Sequence, residues 1–172
     1  VTRNLTGIID MRFHVTLPTC INSLTNLIIM KIRKNANRTK NLHLSTVETL
    51  PFTNEEYKQM AAKEYLSFCI NRGIIAWKFS GNRYIFYAVS HGEIVIAGFV
   101  VSYGRSHDGF TNANIVMLLK NTDDVQRFSS AFSLLLLDLW PKVDYISTWK
   151  SNSQIKNRIT KDNGFITRKT MW

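Results

Sequence analysis

The stretch that most limits what this chain can fold into lies in its last third. Ala113-Asn114-Ile115-Val116-Met117-Leu118-Leu119 is a nearly continuous apolar run, the pattern of a strand covered on both faces. Thr122-Asp123-Asp124 follows as a helix start, with Thr122 expected at the N-cap and two acids suited to the first turn. Val125, Phe128, Phe132, Leu135, Leu136 and Leu139 then recur at helical spacing until Pro141 stops the helix. Val143-Asp144-Tyr145-Ile146-Ser147-Thr148-Trp149 reads as the next strand. Two strands joined by a crossover helix of this length make a right-handed parallel unit.

Length and composition bound the rest. A chain of 172 residues suits one domain, or one with a small appendage. A domain of that size buries about 70% of its unfolded surface and needs no staple. Hydrophobic content of 45% and aromatic content of 12% exclude a disordered chain. Cys20 and Cys69 are too few for a disulfide framework and lack metal-ligand spacing, so both read as buried free thiols in a reducing compartment. The start, Val1-Thr2-Arg3-Asn4, is polar and carries no secretory signal, and the missing initiator Met suggests a processed or excised chain. The apolar segment at residues 24–32 is far shorter than the roughly 20 residues a membrane helix needs, so a soluble, cytoplasmic protein with no membrane span is expected.

The net charge of +10 concentrates in Lys31-Ile32-Arg33-Lys34-Asn35-Ala36-Asn37-Arg38-Thr39-Lys40, with a second basic set at Lys150, Lys156, Arg158, Lys161, Arg168 and Lys169. Such patches suit anionic partners, but equally a solvated helix end and loop. Nucleic acid is not favoured, because the first run interleaves no aromatics with its cations.

Upstream, Met11-Arg12-Phe13-His14-Val15 alternates and reads as a candidate strand. An amphipathic helix is expected over residues 20–33, with Ile21, Leu24, Leu27, Ile28 and Ile32 on its apolar face. Residues 42–50 read as a strand, and Thr53-Asn54-Glu55-Glu56 as a capping box opening a helix to about Lys63. A second short helix is expected from Glu64 to Asn71, ending at Gly73. Residues 83–89 and 93–103 form a hairpin around Ser90-His91-Gly92, in which Gly98 marks a bulge or a close backbone approach. His91 reads as a turn residue. His14 and His43 have no metal-ligand companions, and no metal is expected. Ser102 and Ser147 lack a nucleophile elbow or a His-Asp arrangement, which argues against a hydrolase.

Helices, an antiparallel hairpin, an inner strand, a helix, a strand, a helix and a last strand are thus expected in that order. Tyr65-Leu66 followed by Trp77-Lys78-Phe79 and Tyr84, the hairpin His91-Gly92-Glu93-Ile94-Val95-Ile96-Ala97-Gly98-Phe99-Val100-Val101, and Asn163-Gly164-Phe165 together resemble the GNAT superfamily of acyl-CoA-dependent N-acyltransferases. The likeness is to its bacterial members found with surface-polysaccharide genes, and it covers roughly residues 55–172. It implies an α/β (α+β) fold: a mixed, mostly antiparallel sheet with a central, splayed parallel strand pair, flanked by helices. Residues 53–172 would form this domain. Residues 1–52 would be an N-terminal strand and helix segment, either part of the same domain or an inter-domain remnant.

The resemblance also implies a mechanism. The pantetheine arm of an acyl-CoA, acetyl-CoA or another, would lie between the splayed strands, and the following helix N-terminus would meet the pyrophosphate. Cofactor contacts would fall on Met117, Leu118, Leu119, Lys120, Asn121, Gln126, Arg127 and Asn152. His107 and Asp108 would be the base candidates, and Thr160 stands where the family often carries an acid Tyr. Arg105, Trp77, Tyr84 and Trp149 would line the acceptor site, although the three aromatics read equally as core or rim residues. The sequence departs from the family twice. Lys120-Asn121-Thr122-Asp123-Asp124-Val125-Gln126 has no glycine where the phosphate loop should be, and Thr160 replaces the Tyr.

Three readings stay open. The first is an acyltransferase acting on an amine of a sugar or small metabolite. The second is a degenerate, non-catalytic GNAT-like module for binding or dimerisation, paired with a second GNAT domain or with its own copy. The third is a basic nucleic-acid-associated module.

Overall fold

The computed structural model describes residues 19–63, 71–105, 109–148, 154–163 and 165. The expectations for residues 1–18, for Glu64 to residue 70, for Cys69, for Gly164 and for the last strand fall outside them. Eleven elements follow in order: α1 (Thr19–Ala36), β1 (Leu42–Val47), α2 (Asn54–Lys63), α3 (Arg72–Lys78), β2 (Tyr84–His91), β3 (Ile94–Arg105), β4 (Thr111–Lys120), α4 (Val125–Leu139), a 3-10 turn (Trp140–Lys142), β5 (Tyr145–Thr148) and α5 (Gln154–Asp162). The strands form one sheet in the order β1-β2-β3-β4-β5, antiparallel throughout except for the parallel β4–β5 pair.

Alternation along β3 sends its side chains into two cores. Phe99 and Val101 join Ile115, Phe128, Phe132, Leu135 and Leu139 on one face, beneath α1, α4 and α5. Phe99 lies between Phe128 and Phe132, 6.1 Å from each ring. Val100 points the other way, toward Leu50, Phe52, Tyr57, Met60, Ile75 and Phe79 beneath α2 and α3. Gly98 resolves as a close approach. A Cβ there would stand 2.6 Å from the Phe52 ring and 3.1 Å from Leu50. The bulges lie elsewhere, at Val89/Ser90 and Val100/Val101.

Helix starts follow their caps, and two differ from expectation. The Thr53 box is present: the Thr53 N–H donates to Glu56 Oε2 at 2.7 Å, and the Glu56 N–H to Thr53 Oγ1 at 3.2 Å. Gly73 does not end a helix. Asn71 is an extended N-cap whose Oδ1 accepts from the Ile74 N–H at 2.9 Å, so Gly73 sits in the first turn of α3. Asp124, not Thr122, caps α4. Thr122 Oγ1 instead accepts from the Asp124 N–H at 3.2 Å, a local turn that sets the cap in place. At the other end, α4 stops at Leu139 and Pro141 lies in the 3-10 turn.

The N-terminal helix packs along α4. Ile32 enters the α4-side core, and Ser130 Oγ donates to the Asn35 carbonyl at 2.8 Å. The cations Lys31, Arg33, Lys34, Arg38 and Lys40 stay exposed at the C-terminal end of α1 and the turn beyond it, where a helix dipole favours positive charge. Among the described residues no helix is long and apolar enough to cross a membrane, and no cluster could hold a metal ion.

Candidate active site

The site begins at the parallel β4–β5 pair. Asp144 fixes one end of their parallel ladder: its Oδ2 accepts from the Thr111 N–H at 2.7 Å and from Thr111 Oγ1 at 2.8 Å. Among the described residues the register runs from Asn112↔Tyr145 to Ile115↔Thr148, with Thr148 Oγ1 donating to the Ile115 carbonyl at 3.0 Å. β4 itself continues to Lys120 against β3. At that point Val101 pairs with Ile115 and Val100 with Met117, so Val116 is an extra residue that bends and twists the strand. The bulge falls one residue past the Ile115↔Thr148 rung.

Backbone direction decides what the far edge of β4 offers. The Asn121 N–H donates to the Ile96 carbonyl at 2.9 Å, so residues 119 and 121 face β3 while Leu118 and Lys120 turn their backbone groups to the opposite edge. The Leu118 carbonyl is already engaged. Lys156 Nζ, from the first turn of α5, donates to it at 2.6 Å, and Lys156 is buried. Met117 and Leu119 point into the α2/α3 core, Leu118 toward the opposite one.

The next helix N-terminus is engaged as well. Asp124 Oδ1 accepts from the N–H groups of Gln126 at 2.8 Å and Arg127 at 3.1 Å, and Arg127 Nε lies 3.2 Å from Oδ2. The Asn121 side chain donates to Glu56 Oε1 at 2.7 Å and to the Val95 carbonyl at 3.0 Å, tying α2 to the sheet. Burial pushes the Glu56 carboxyl up, but its hydrogen bonds from Thr53 and Asn121 outweigh that and hold it below the ordinary carboxylate range.

On the α2/α3 face, Tyr84, Ser102, Asn114 and Ser147 form one polar row across four strands, one rung before Ile115↔Thr148. Ser147 Oγ reaches Asn114 Oδ1 at 3.4 Å. Tyr84 packs edge-on against Phe79, and Arg83 sits 4.9 Å above its ring while donating to its hydroxyl at 2.9 Å. Trp77 is 79% exposed on α3, neither core nor in this row. Arg105 Nε donates to the Gly109 carbonyl at 2.9 Å, bracing the loop after β3. Thr160 directs its hydroxyl to the Asn157 carbonyl of its own helix at 3.0 Å. His107, Asp108, Trp149 and Asn152 lie outside the described residues.

These contacts test the fit of a nucleotide thioester. The bulged edge of β4 suits a slender amide-bearing arm. The phosphate end does not fit: the α4 donors are taken by the chain's own carboxylate, Asp123 stands beside it, and no glycine lets backbone approach an anion. A like charge at ~4 Å in a surface-like dielectric would cost up to about 4 kcal/mol. Sequence reasoning missed Lys156 and Asn163, both buried. Asn163 accepts from Ser133 Oγ at 2.8 Å and donates to the Ile159 carbonyl at 2.9 Å, docking the end of α5 on α4.

No known family matches the sequence, and no curated protein is similar to it. Solved structures do match the fold. An aminoglycoside acetyltransferase from an uncultured soil metagenomic sample, in complex with sisomicin, superposes with a TM-score of 0.57 at 9% identity, covering 77% of this chain and 93% of that one. The aminoglycoside N-acetyltransferase AAC(6')-Iy in complex with CoA gives 0.56 at 8% identity over 79% and 95%. A predicted acetyltransferase from Clostridium acetobutylicum with acetyl-CoA gives 0.55 at 10% over 76% and 94%. The five-stranded mixed sheet with its parallel β4–β5 pair and flanking helices is the GNAT α/β fold.

Proposed function

We propose that this domain is a cytoplasmic acyltransferase that moves an acyl group from a thioester, acyl-CoA or another, to an amine of a sugar or small metabolite. The observation that carries the reading is the bulge at Val116 beside the parallel β4–β5 pair, together with the Leu118 carbonyl two residues on, which accepts from the Lys156 side chain at 2.6 Å. Backbone groups that a bulge turns out of a ladder can serve a third extended chain, and an amide-bearing arm has that shape. The polar row Tyr84-Ser102-Asn114-Ser147 lies one rung before Ile115↔Thr148, where hydroxyls and an amide can bind a polyhydroxylated acceptor.

One observation favours a second reading, a non-catalytic module of the same fold. Both anchoring regions of a nucleotide thioester are engaged by the chain's own side chains, Lys156 and Asp124. An activity screen separates the two. The protein is incubated with acetyl-CoA or acetyl-pantetheine and a panel of amino sugars, and thiol release is followed alongside the mass of the acceptor. Acceptor-dependent thiol release is expected. No release with any pairing, from the wild type or from Lys156→Ala, contradicts the enzymatic reading. Binding to generic nucleic acid with a steep salt dependence would instead favour the basic-module reading.

A further inference from the structure

The solvent face of α1 has no part in acyl transfer, yet it carries the strongest charge of the chain. Ile28 and Ile32 join the α4-side core, and Asn35 and Ala36 are buried on the same side of the helix. The opposite side presents Leu27, Met30, Lys31 and Lys34, whose i, i+3, i+4, i+7 spacing makes one stripe. Leu27 is 61% exposed and Met30 65%, so two large apolar side chains stand in water one turn ahead of the two lysines. Arg33, Arg38 and Lys40 add exposed charge at the end of the helix and in the turn beyond it. No Asp or Glu occurs from Thr19 to Val47, so neither α1 nor β1 offsets these cations. On the neighbouring α4, Asp124 and Asp138 are already matched by Arg127 and Lys142.

Charge and apolarity together select the partner. A surface that served nucleic acid through its phosphates would gain nothing from Leu27 and Met30, and this stripe offers no ring for a base to stack on. An anionic bilayer uses both features: the cations meet head groups while the apolar side chains enter the acyl boundary. We propose that the solvent face of α1 is a peripheral docking surface for a membrane leaflet rich in anionic phospholipid. Docked there, the sheet lies with its α1/α4 side toward the lipid. The polar row of Tyr84, Ser102, Asn114 and Ser147, on the α2/α3 side, faces away from it.

Co-sedimentation with vesicles tests the proposal. Vesicles of phosphatidylcholine alone are compared with vesicles holding about 30% phosphatidylserine, at low and at high salt. The protein is expected to sediment with the anionic vesicles, to stay in solution with the neutral ones, and to be released as salt rises. Each Lys or Arg near such a surface is worth about a fivefold factor in partition, so Lys31→Gln with Lys34→Gln is expected to weaken binding about 25-fold. Leu27→Ser with Met30→Ser keeps every charge and is expected to weaken it at least about fivefold. All four positions are exposed, so the variants should fold, and a thermal melt checks each one.

No binding to the anionic vesicles at low salt overturns the proposal. So does binding that Leu27→Ser with Met30→Ser leaves level, because charge alone then makes a generic polyanion site, which equally tight binding to duplex DNA of arbitrary sequence would identify. Neither result touches the acyl-transfer reading, which uses no residue of this stripe.

Discussion

Gly98 and Glu56 show how single residues hold the site's support in place. A Cβ at Gly98 would press on the edge of the Phe52 ring, which is itself buried and cannot swing away. Gly98→Ala is expected to cost about 1–3 kcal/mol, measured by urea unfolding. Glu56 both closes the Thr53 capping box and binds Asn121 at the end of β4. Its carboxyl is held below its ordinary range, so its stabilisation is present above the unfolded value and is lost as pH falls through the lower folded one. The stability gap between wild type and Glu56→Gln is therefore expected to be constant near neutrality and to shrink below about pH 4. Tyr87 gives the opposite sign. Burial and the 2.9 Å contact with the Tyr103 hydroxyl push its phenol far up, so its contribution is complete below the unfolded value and is lost in strong alkali. Tyrosine absorbance in the native protein should leave this residue untitrated near pH 10, until the fold opens.

Among the elements, α4 and α5 carry the information that separates this chain from a simple resemblance. Asp124→Ala removes the acceptor for two first-turn N–H groups and is expected to destabilise by about 1 kcal/mol, whereas Asp124→Asn should change stability by a few tenths, as thermal unfolding would show. The periodic strand and helix of the last third were legible because burial imposes repeats: Phe128, Phe132, Leu135 and Leu139 are all fully buried. Caps were less legible. Thr122 and Asp124 both qualify by residue type, and the local turn between them decides which one caps. Asn71-Arg72-Gly73 reads as an end because glycine usually follows a helix, yet the Asn71 side chain starts one. Lys156 left no signal at all. Ile155 and Ile159, spaced four apart, describe a face as well as Lys156, Ile159 and Asn163 do, and what rotates the helix is a carbonyl on a distant strand.

For the whole molecule, what positions chemistry is one sheet with a core on each face, and a parallel strand pair at one end beside a bulge. The order of elements and the likeness to the acyltransferase fold can be read from residues. Where the bulge falls cannot, because it depends on the pairing opposite Val100/Val101 and not on any residue type at Val116. The direct test is an NMR titration of Lys156→Ala with acetyl-pantetheine, following backbone amides. The expected result is that shifts concentrate on residues 116–121 of β4 and its end, and on Tyr145–Thr148 of β5. Saturable binding that leaves both segments unmoved, with shifts confined to the exposed cations of α1, would contradict donor binding at these strands.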